Sequence, residues 1–418
     1  MYLATPPKGM RDFLPKEKAH RDRIAAKIRS AYTACGFTEI ETSSIENISN
    51  LTGGDGGENQ KLIYKIMKRG EKLDEALAQS PVSENDLADL GLRFDFTLPL
   101  ARFYSNNRNE LPGIFKSIQM GMVYRGERPQ KGRYRSFVQC DVDIIGDPTP
   151  LAEIEILNAA TRALDSIGLT GYEILISDRR FLIALVTASG LPLERADEVC
   201  ISLDKLDKIG KDGVLKELAS KNLDGTALLD NIEGITIADI AKYSPEAAEN
   251  LAIITSALAH GGEGGENNGN GVTVRFEPTL VRGMGYYTAT IFEIFSPKYG
   301  SALGGGGRYD RMIGKISGTD APAAGFSIGF ERICDLLGDQ AITGDSRIER
   351  TAVLVEHSDK FKDALAFSRR LPEGEISSIF LKKKKFGKQL QNLENEGFTK
   401  FYDLDRGQYL ETSHDKKQ

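Results

Sequence analysis

Between Tyr124 and Gly146 the chain reads YRGERPQKGRYRSFVQCDVDIIG, a run whose side chains suit the binding of a small, charged molecule. Ile118, Met120, Met122 and Tyr124 alternate before its basic loop, and Val138, Cys140, Val142 and Ile144 alternate after it. That period of two predicts a β-hairpin with one buried face. The same period puts Gln119, Val123, Arg125 and Glu127 on the other face, with Phe137, Gln139, Asp141 and Asp143 beside them. A guanidinium, an aromatic ring, amides and carboxylates on one sheet surface need partners if they are covered, and a polar ligand lying on the sheet supplies them. A simple Arg125–Glu127 ion pair would leave Gln139 and Asp143 unexplained.

Other stretches must bring further groups to this face. Residues 16–35 are predicted as an amphipathic helix, with Ile24, Ile28, Ala31, Tyr32 and Cys35 on one stripe and Gly36 as its stop. A strand, Phe37–Thr42, and a glycine-rich turn, Thr52–Asn59, follow. LRFDFTLPLARF, Leu92–Phe103, alternates like a strand with Arg93, Asp95 and Thr97 on one face, and is expected to extend the polar surface. Pro148–Gly168 is predicted helical through Leu151, Ile154, Leu157 and Leu164, with a strand at Tyr172–Ser177. Residues 192–260 show short helical stripes broken by glycine, expected to form a helical insertion; it ends in a glycine-rich connector, His260–Gly271. No Walker lysine-serine pair follows those glycines, so a phosphate cradle is disfavoured there.

Strand character resumes over Val272–Phe295, then ALGGGGRYD at Ala302–Asp310, and Ala321–Leu337 reads as strand into helix with Arg332 early in the helix. The run Gly304–Gly307 is either a bulge or a place where backbone approaches a ligand closely. A charged joint, Gly338–Arg350, leads to a tail that alternates strand, helix, strand, helix, and so predicts a small α/β domain.

The 418 residues are 40% hydrophobic and 27% charged, which excludes a disordered chain. A net charge of -6 means that a nucleic-acid partner must be held by local basic patches. Cys35, Cys140, Cys200 and Cys334 are isolated, without CxxC or paired-histidine spacing, so no protein-held metal is expected and a reducing compartment is. The start of the chain lacks a basic then apolar leader and no apolar run approaches ~18 residues, which predicts a cytoplasmic protein that does not meet a membrane.

GMRDFLP at Gly9–Pro15, the hairpin run, LVRGMGYYTATIFEI at Leu280–Ile294, GGGGRYD and GFSIGFERI resemble, in this order, the motifs of class II aminoacyl-tRNA synthetases, and within that class the histidyl-tRNA synthetases. The resemblance covers residues 6–337 nearly throughout; the HIGH and KMSKS signatures of the other synthetase class are absent. It implies an α+β fold, an antiparallel sheet flanked by helices. Residues 1–337 would be the catalytic domain with its 192–260 insertion, 338–350 a linker, and 351–418 a shortened α/β domain like the anticodon-binding one.

The implied activity joins L-histidine to ATP, giving histidyl-adenylate and pyrophosphate, then passes histidine to the 3′ end of tRNA-His, with Mg2+ accompanying the ATP and the chain working as a homodimer. Joining a carboxylate to a phosphate gathers negative charge, which fixed arginines suit. By resemblance Arg125 contacts the α-phosphate, Glu127 the adenine amino group, Phe137 stacks on the ring and Arg332 holds the γ-phosphate. Arg282 bridges the substrate carboxylate and α-phosphate, and with Arg125 is catalytic. Asp95 and Thr97 resemble the α-amino binders, with Gln139 between amino group and carboxylate. Asp143 and Tyr287 read the two edges of the imidazole and Tyr286 lines the pocket. Arg128, Gln130, Lys131 and Arg133 would meet the acceptor end of tRNA, and Lys382–Lys385 more weakly its phosphates. Three features depart from the family: Gly285 before the tyrosine pair, Ser43 near the place of a usual dimer-interface proline, and the short tail. Two alternatives stand beside the ligase: a histidine-adenylating paralogue that does not charge tRNA, and a non-catalytic histidine-binding regulatory subunit of ATP phosphoribosyltransferase. Arg125, Arg282 and Arg332 together speak against the latter.

Overall fold

Pro15 opens helix α1, Pro15–Ala34, at a position where its missing N–H costs nothing, and Gly36 at φ +83° turns the chain out of it. Arg21, Ile24, Ile28 and Tyr32, spaced three and four apart, are its buried side. This is a computed structural model describing residues 4–52, 59–129, 132–259, 272–281, 286–338, 349–372 and 375–410. Most of the glycine-rich turn, the 260–271 connector, most of the charged joint, and Gln130, Lys131, Arg282 and Gly285 lie outside the described residues.

Strand β1, Thr38–Glu39, enters the main sheet. Strands β2 (Ile45–Asn47), β3 (Lys65–Met67) and β4 (Ala88–Leu92) make a small antiparallel sheet in the order β2-β4-β3, with helices α2 (Ile48–Thr52) and α3 (Glu71–Leu77) between them. The expected strand over Leu92–Phe103 is not formed. The chain leaves β4 at Leu92 and becomes helix α4 at Thr97–Asn107. Leu98 and Ala101, three apart, are buried, and Pro99 falls in the first turn, where helices tolerate it. Asp95 and Thr97 thus sit at a strand-to-helix corner, and Arg93 turns away to Thr42 O (2.7 Å) and Met122 O (2.9 Å).

The hairpin forms as read, with β5 (Phe115–Tyr124) antiparallel to β6 (Ser136–Ile145) from Phe115↔Ile145 to Tyr124↔Ser136. Helix α5, Leu151–Ser166, buries Ala152, Ile156, Leu157, Ala160, Ala163 and Leu164, while the expected stripe member Leu151 is exposed. Strand β7 (Glu173–Asp178) ends in Asp178, which caps α6 (Arg179–Ala188) by accepting from Arg180 N. Helices α7 (Ala196–Leu203), α8 (Leu206–Ser220), α9 (Thr226–Ile232) and α10 (Pro245–Ala259) follow. Their Val199, Val214, Leu228 and Leu251 join the same hydrophobic core as the sheet.

Val272–Phe295 is not one strand: β8 (Thr273–Phe276) stops before Pro278, which has no N–H to give a ladder, and β9 (Thr290–Ser296) starts anew. Then come β10 (Ser301–Arg308), α11 (Asp310–Ser317), β11 (Ala323–Ile328) and α12 (Phe330–Leu337). The eight strands run β1-β5-β6-β11-β10-β9-β7-β8, antiparallel except for the outer pairs β1/β5 and β7/β8.

The chain divides into two units, residues 1–343 and 344–418. The second contains β12 (Arg350–Val355), α13 (Phe361–Ser368), β13 (Ile376–Leu381), α14 (Phe386–Asn395), β14 (Lys400–Asp403) and β15 (Gln408–Tyr409) in the order β13-β12-β14-β15. Its central strand packs on both faces, Ala352 and Leu354 against Leu393, Phe398 and Phe401, and Val353 and Val355 against Ala364. Lys382, first of the lysine run, is held by Asp403 (2.6 Å) and Asp405 (3.2 Å), so it is engaged within this unit.

Candidate active site

A cavity of about 590 Å³ opens on the polar face of β6, β11 and β10. Asp95, Thr97, Arg125, Glu127, Arg133, Phe137, Gln139, Asp143, Tyr286, Tyr287 and Arg332 all line it. Arg128 does not, and Arg282, Gln130 and Lys131 lie outside the described residues.

Strand β10 can lie this close to β11 only because it is glycine. A Cβ on Gly306 would stand 1.9 Å from Gly325 O, and one on Gly304 2.5 Å from the Phe326 ring. A shift of register between Ala302 and Gly304 precedes the run, so it both bulges and thins the cavity wall. Gly325 does the same for a side chain: a Cβ there would meet Asp143 Oδ1 at 2.0 Å.

The floor of the cavity is acidic and closed. Asp95, Gln139, Asp141 and Asp143 are all buried. Asp95 Oδ1 has no hydrogen-bond partner, although the side chain sits beside the backbone N–H groups of Thr97 and Leu98. Burial raises the Asp95 carboxyl above its ordinary value, against the pull of the Arg125 charge. Asp143 accepts from Tyr309 Oη, and burial, reinforced by the charge of Asp95, carries it up to about 7 despite that bond. Asp141 is also raised well above its ordinary value, by burial and by neighbouring Asp143. Tyr286 and Tyr287 lie ring beside ring with hydroxyls 3.2 Å apart, and Tyr286 meets Tyr309 edge-on. An unpartnered carboxylate oxygen suits an ammonium, and a carboxylate among phenols suits a flat ring with N–H edges.

The mouth is cationic and looser. Arg125 donates from Nε to Phe94 O (2.9 Å), approaches Gln139 Oε1 at 3.4 Å, and lies 5.1 Å from the Phe137 ring centre. Glu127 pairs with Arg133 at 3.5 Å. Arg332 donates to Ala302 O (2.8 Å), with the hairpin-loop Gly132 against its side chain. Glu331, next to it, accepts from Arg21 (2.7 and 2.8 Å), from Arg11, and from Val138 N (3.1 Å). The Arg11 guanidinium also covers the Tyr134 ring at 3.5 Å. The GMRDFLP stretch thereby ties α12 to the hairpin, and Gly9, at φ +86°, passes so close that a Cβ would meet Pro129 at 2.6 Å.

Sequence reading missed four contributors: Tyr309 on Asp143, Ser327 beside Asp141, Tyr134 under Arg11, and Glu331 as an anchor. Tyr309 and Glu331 stand inside the motifs GGGGRYD and GFSIGFERI, which was the available signal.

The profile of the family described as Histidyl-tRNA synthetase matches residues 9–333. A "Histidine--tRNA ligase" from Leifsonia xyli subsp. xyli is 47% identical over 80% of each chain. A "Probable histidine--tRNA ligase" from Tropheryma whipplei is 40% identical over 96% of this chain and 95% of its own, so those two chains are of similar length. Among solved structures, the histidyl-tRNA synthetase from Nostoc sp. PCC 7120 superposes with a TM-score of 0.77 over 99% of this chain and 98% of that one, at 22% identity. One described as an ATP phosphoribosyltransferase regulatory subunit/histidyl-tRNA synthetase, from Bacillus halodurans C, gives 0.74 over 94% and 97%, also at 22%. With a profile match across most of the chain and relatives this similar over four fifths or more of their length, the chain belongs to the histidyl-tRNA synthetase family.

Proposed function

We propose that the protein is a histidine–tRNA ligase that activates L-histidine with ATP and charges tRNA-His. The observation that carries this is the meeting, in one cavity, of a buried acidic floor holding an unpartnered Asp95 oxygen with a cationic mouth formed by Arg125 and Arg332. The α-ammonium of histidine would lie on Asp95, Thr97 and Gln139, and the imidazole between Asp143 and Tyr287, with Tyr286 along the wall. The adenine would stack on Phe137 with its amino group at Glu127, and the γ-phosphate would rest on Arg332. A histidine carboxylate oxygen then attacks the α-phosphorus, a P–O bond forms, the bond to the β-phosphate breaks, and pyrophosphate leaves. Arg125, with Arg282 by family resemblance, would counter the charge at that phosphorus; such a donor typically contributes ~10²–10³ in rate.

Magnesium is read as accompanying the nucleotide phosphates. Arg128, Gln130, Lys131 and Arg133 on the hairpin loop are read as contacts for the tRNA acceptor end. We read the chain as a cytoplasmic homodimer with a catalytic domain over 1–337, a 192–260 insertion, a 338–350 linker and a tail domain over 351–418. No helix among the described residues is long and apolar enough to cross a membrane.

Histidine-dependent ATP–pyrophosphate exchange followed by charging of tRNA-His tests the reading. Both are expected. Exchange without charging would point to an adenylating paralogue, and histidine binding without exchange to a regulatory subunit.

A further inference from the structure

Gln139 carries an amide that could face either way, and its neighbours decide which. Its Nε2 donates to Ser327 Oγ (3.0 Å) and lies 3.2 and 3.3 Å from the two oxygens of Asp141. Ser327 Oγ in turn donates to Asp141 Oδ1 at 2.5 Å, closing a three-membered ring of hydrogen bonds. Both amide hydrogens are therefore directed at the Asp141–Ser327 pair. Oε1 is left towards the cavity, where it meets Arg125 Nη2 at a long 3.4 Å. Flipping the amide would aim its N–H groups at the Arg125 guanidinium, donor against donor, and turn Oε1 away from the cavity.

We propose that Asp141, with Ser327, is a positioning residue that locks the Gln139 amide so that its carbonyl oxygen is presented to the α-ammonium of the bound amino acid. This rests on the histidine-activation reading above and assigns a task to a buried carboxylate that no substrate contact requires. Asp141 is 7% exposed and lies on the strand β6 between Gln139 and Asp143, so its side chain shares their face of the sheet. Together, the Gln139 carbonyl and the unpartnered Asp95 Oδ1 give an ammonium two acceptors in the same cavity. Without the lock the amide can turn its donors toward that ammonium, exchanging an attraction for a repulsion.

The test is histidine-dependent ATP–pyrophosphate exchange on the full-length protein. Asp141→Ala is expected to raise KM for histidine about 10- to 100-fold, the range for an acceptor lost at a buried site, and to move KM for ATP by no more than about twofold. Asp141→Asn, which still offers an oxygen to Nε2 and Ser327, should recover most of that loss. Ser327→Ala should show a smaller rise of the same kind. In the Gln139→Ala background, Asp141→Ala should add nothing, because its effect travels through the amide. Additive losses in that cycle, or equal changes in both KM values, would overturn the assignment. If Asp141→Ala does not fold, Asp141→Asn against Ser327→Ala and the cycle built on Ser327→Ala decide by the same criteria. Absence of exchange in the unmodified protein would instead sink the ligase reading itself, so the two failures are distinguishable.

Discussion

At the floor of the cavity Asp95, Gln139, Asp141 and Asp143 are each under one tenth exposed, and Gln139, Asp141 and Asp143 are held by hydrogen bonds to Ser327 and Tyr309. At the mouth, Arg133 is half exposed, Glu127 reaches it at 3.5 Å, and Arg125 and Arg332 each donate to a backbone carbonyl oxygen. The two regions answer different demands. A group that must reject the wrong amino acid gains from being dry and immovable, because a misfit then leaves a buried polar atom unpaired. A group that meets phosphates can be long and adjustable, because charge acts over a distance.

The comparison breaks most sharply at Arg125. Its replacement by alanine is expected to lower pyrophosphate exchange by ~10²–10³, the effect of losing one preorganised donor, while the melting temperature changes little. If exchange survives, the mouth does not carry the chemistry. Asp143→Asn comes next: KM for histidine should rise about 10- to 100-fold with KM for ATP within about threefold, measured in the same assay. Equal losses for both ligands would dissolve the distinction between floor and mouth.

A pH series sharpens it. Because Asp143 is raised by burial from 3.8 to about 7, the folded protein keeps a proton that the unfolded chain has already released. Stability should therefore fall as pH climbs between those two values, with the full cost present above about 7. Asp143→Asn removes that dependence, so its melting temperature relative to the parent should rise from about pH 5 to about pH 8. Histidine binding to the parent should tighten over the upper part of the window as the stronger acceptor forms. The smallest effect is expected at the rim: Arg133→Ala should cost under about 1 kcal/mol of stability in denaturant titration, as befits an exposed pair.

The hairpin was legible because the alternation of Ile118–Tyr124 and of Val138–Ile144 on either side of the loop leaves little choice of register, and the polar face beside it announces a binding surface. Leu92–Phe103 was not, since three alternating positions cannot be told from the entry to a helix, and the decisive mark was Pro99, placed where only a first turn accepts it. The Arg11, Arg21 and Glu331 cluster joins residues more than three hundred positions apart, a pairing no local pattern encodes. Asp141 was visible as a residue without an evident task, and its task became apparent only when β11 brought Ser327 beside it.

The position of β11 has a consequence for how the chain is made. It lies between β6 and β10, yet residues 146–322 are synthesised after β6 and before it. At ~5–20 residues per second, the ribosome spends roughly 10–40 s during which β6 has an open edge facing the cell. Such an edge recruits other strands, so the nascent protein needs chaperone cover through that interval. A transcript that ends before residue 323 yields a fragment with a sticky border and an incomplete cavity, which quality control should destroy.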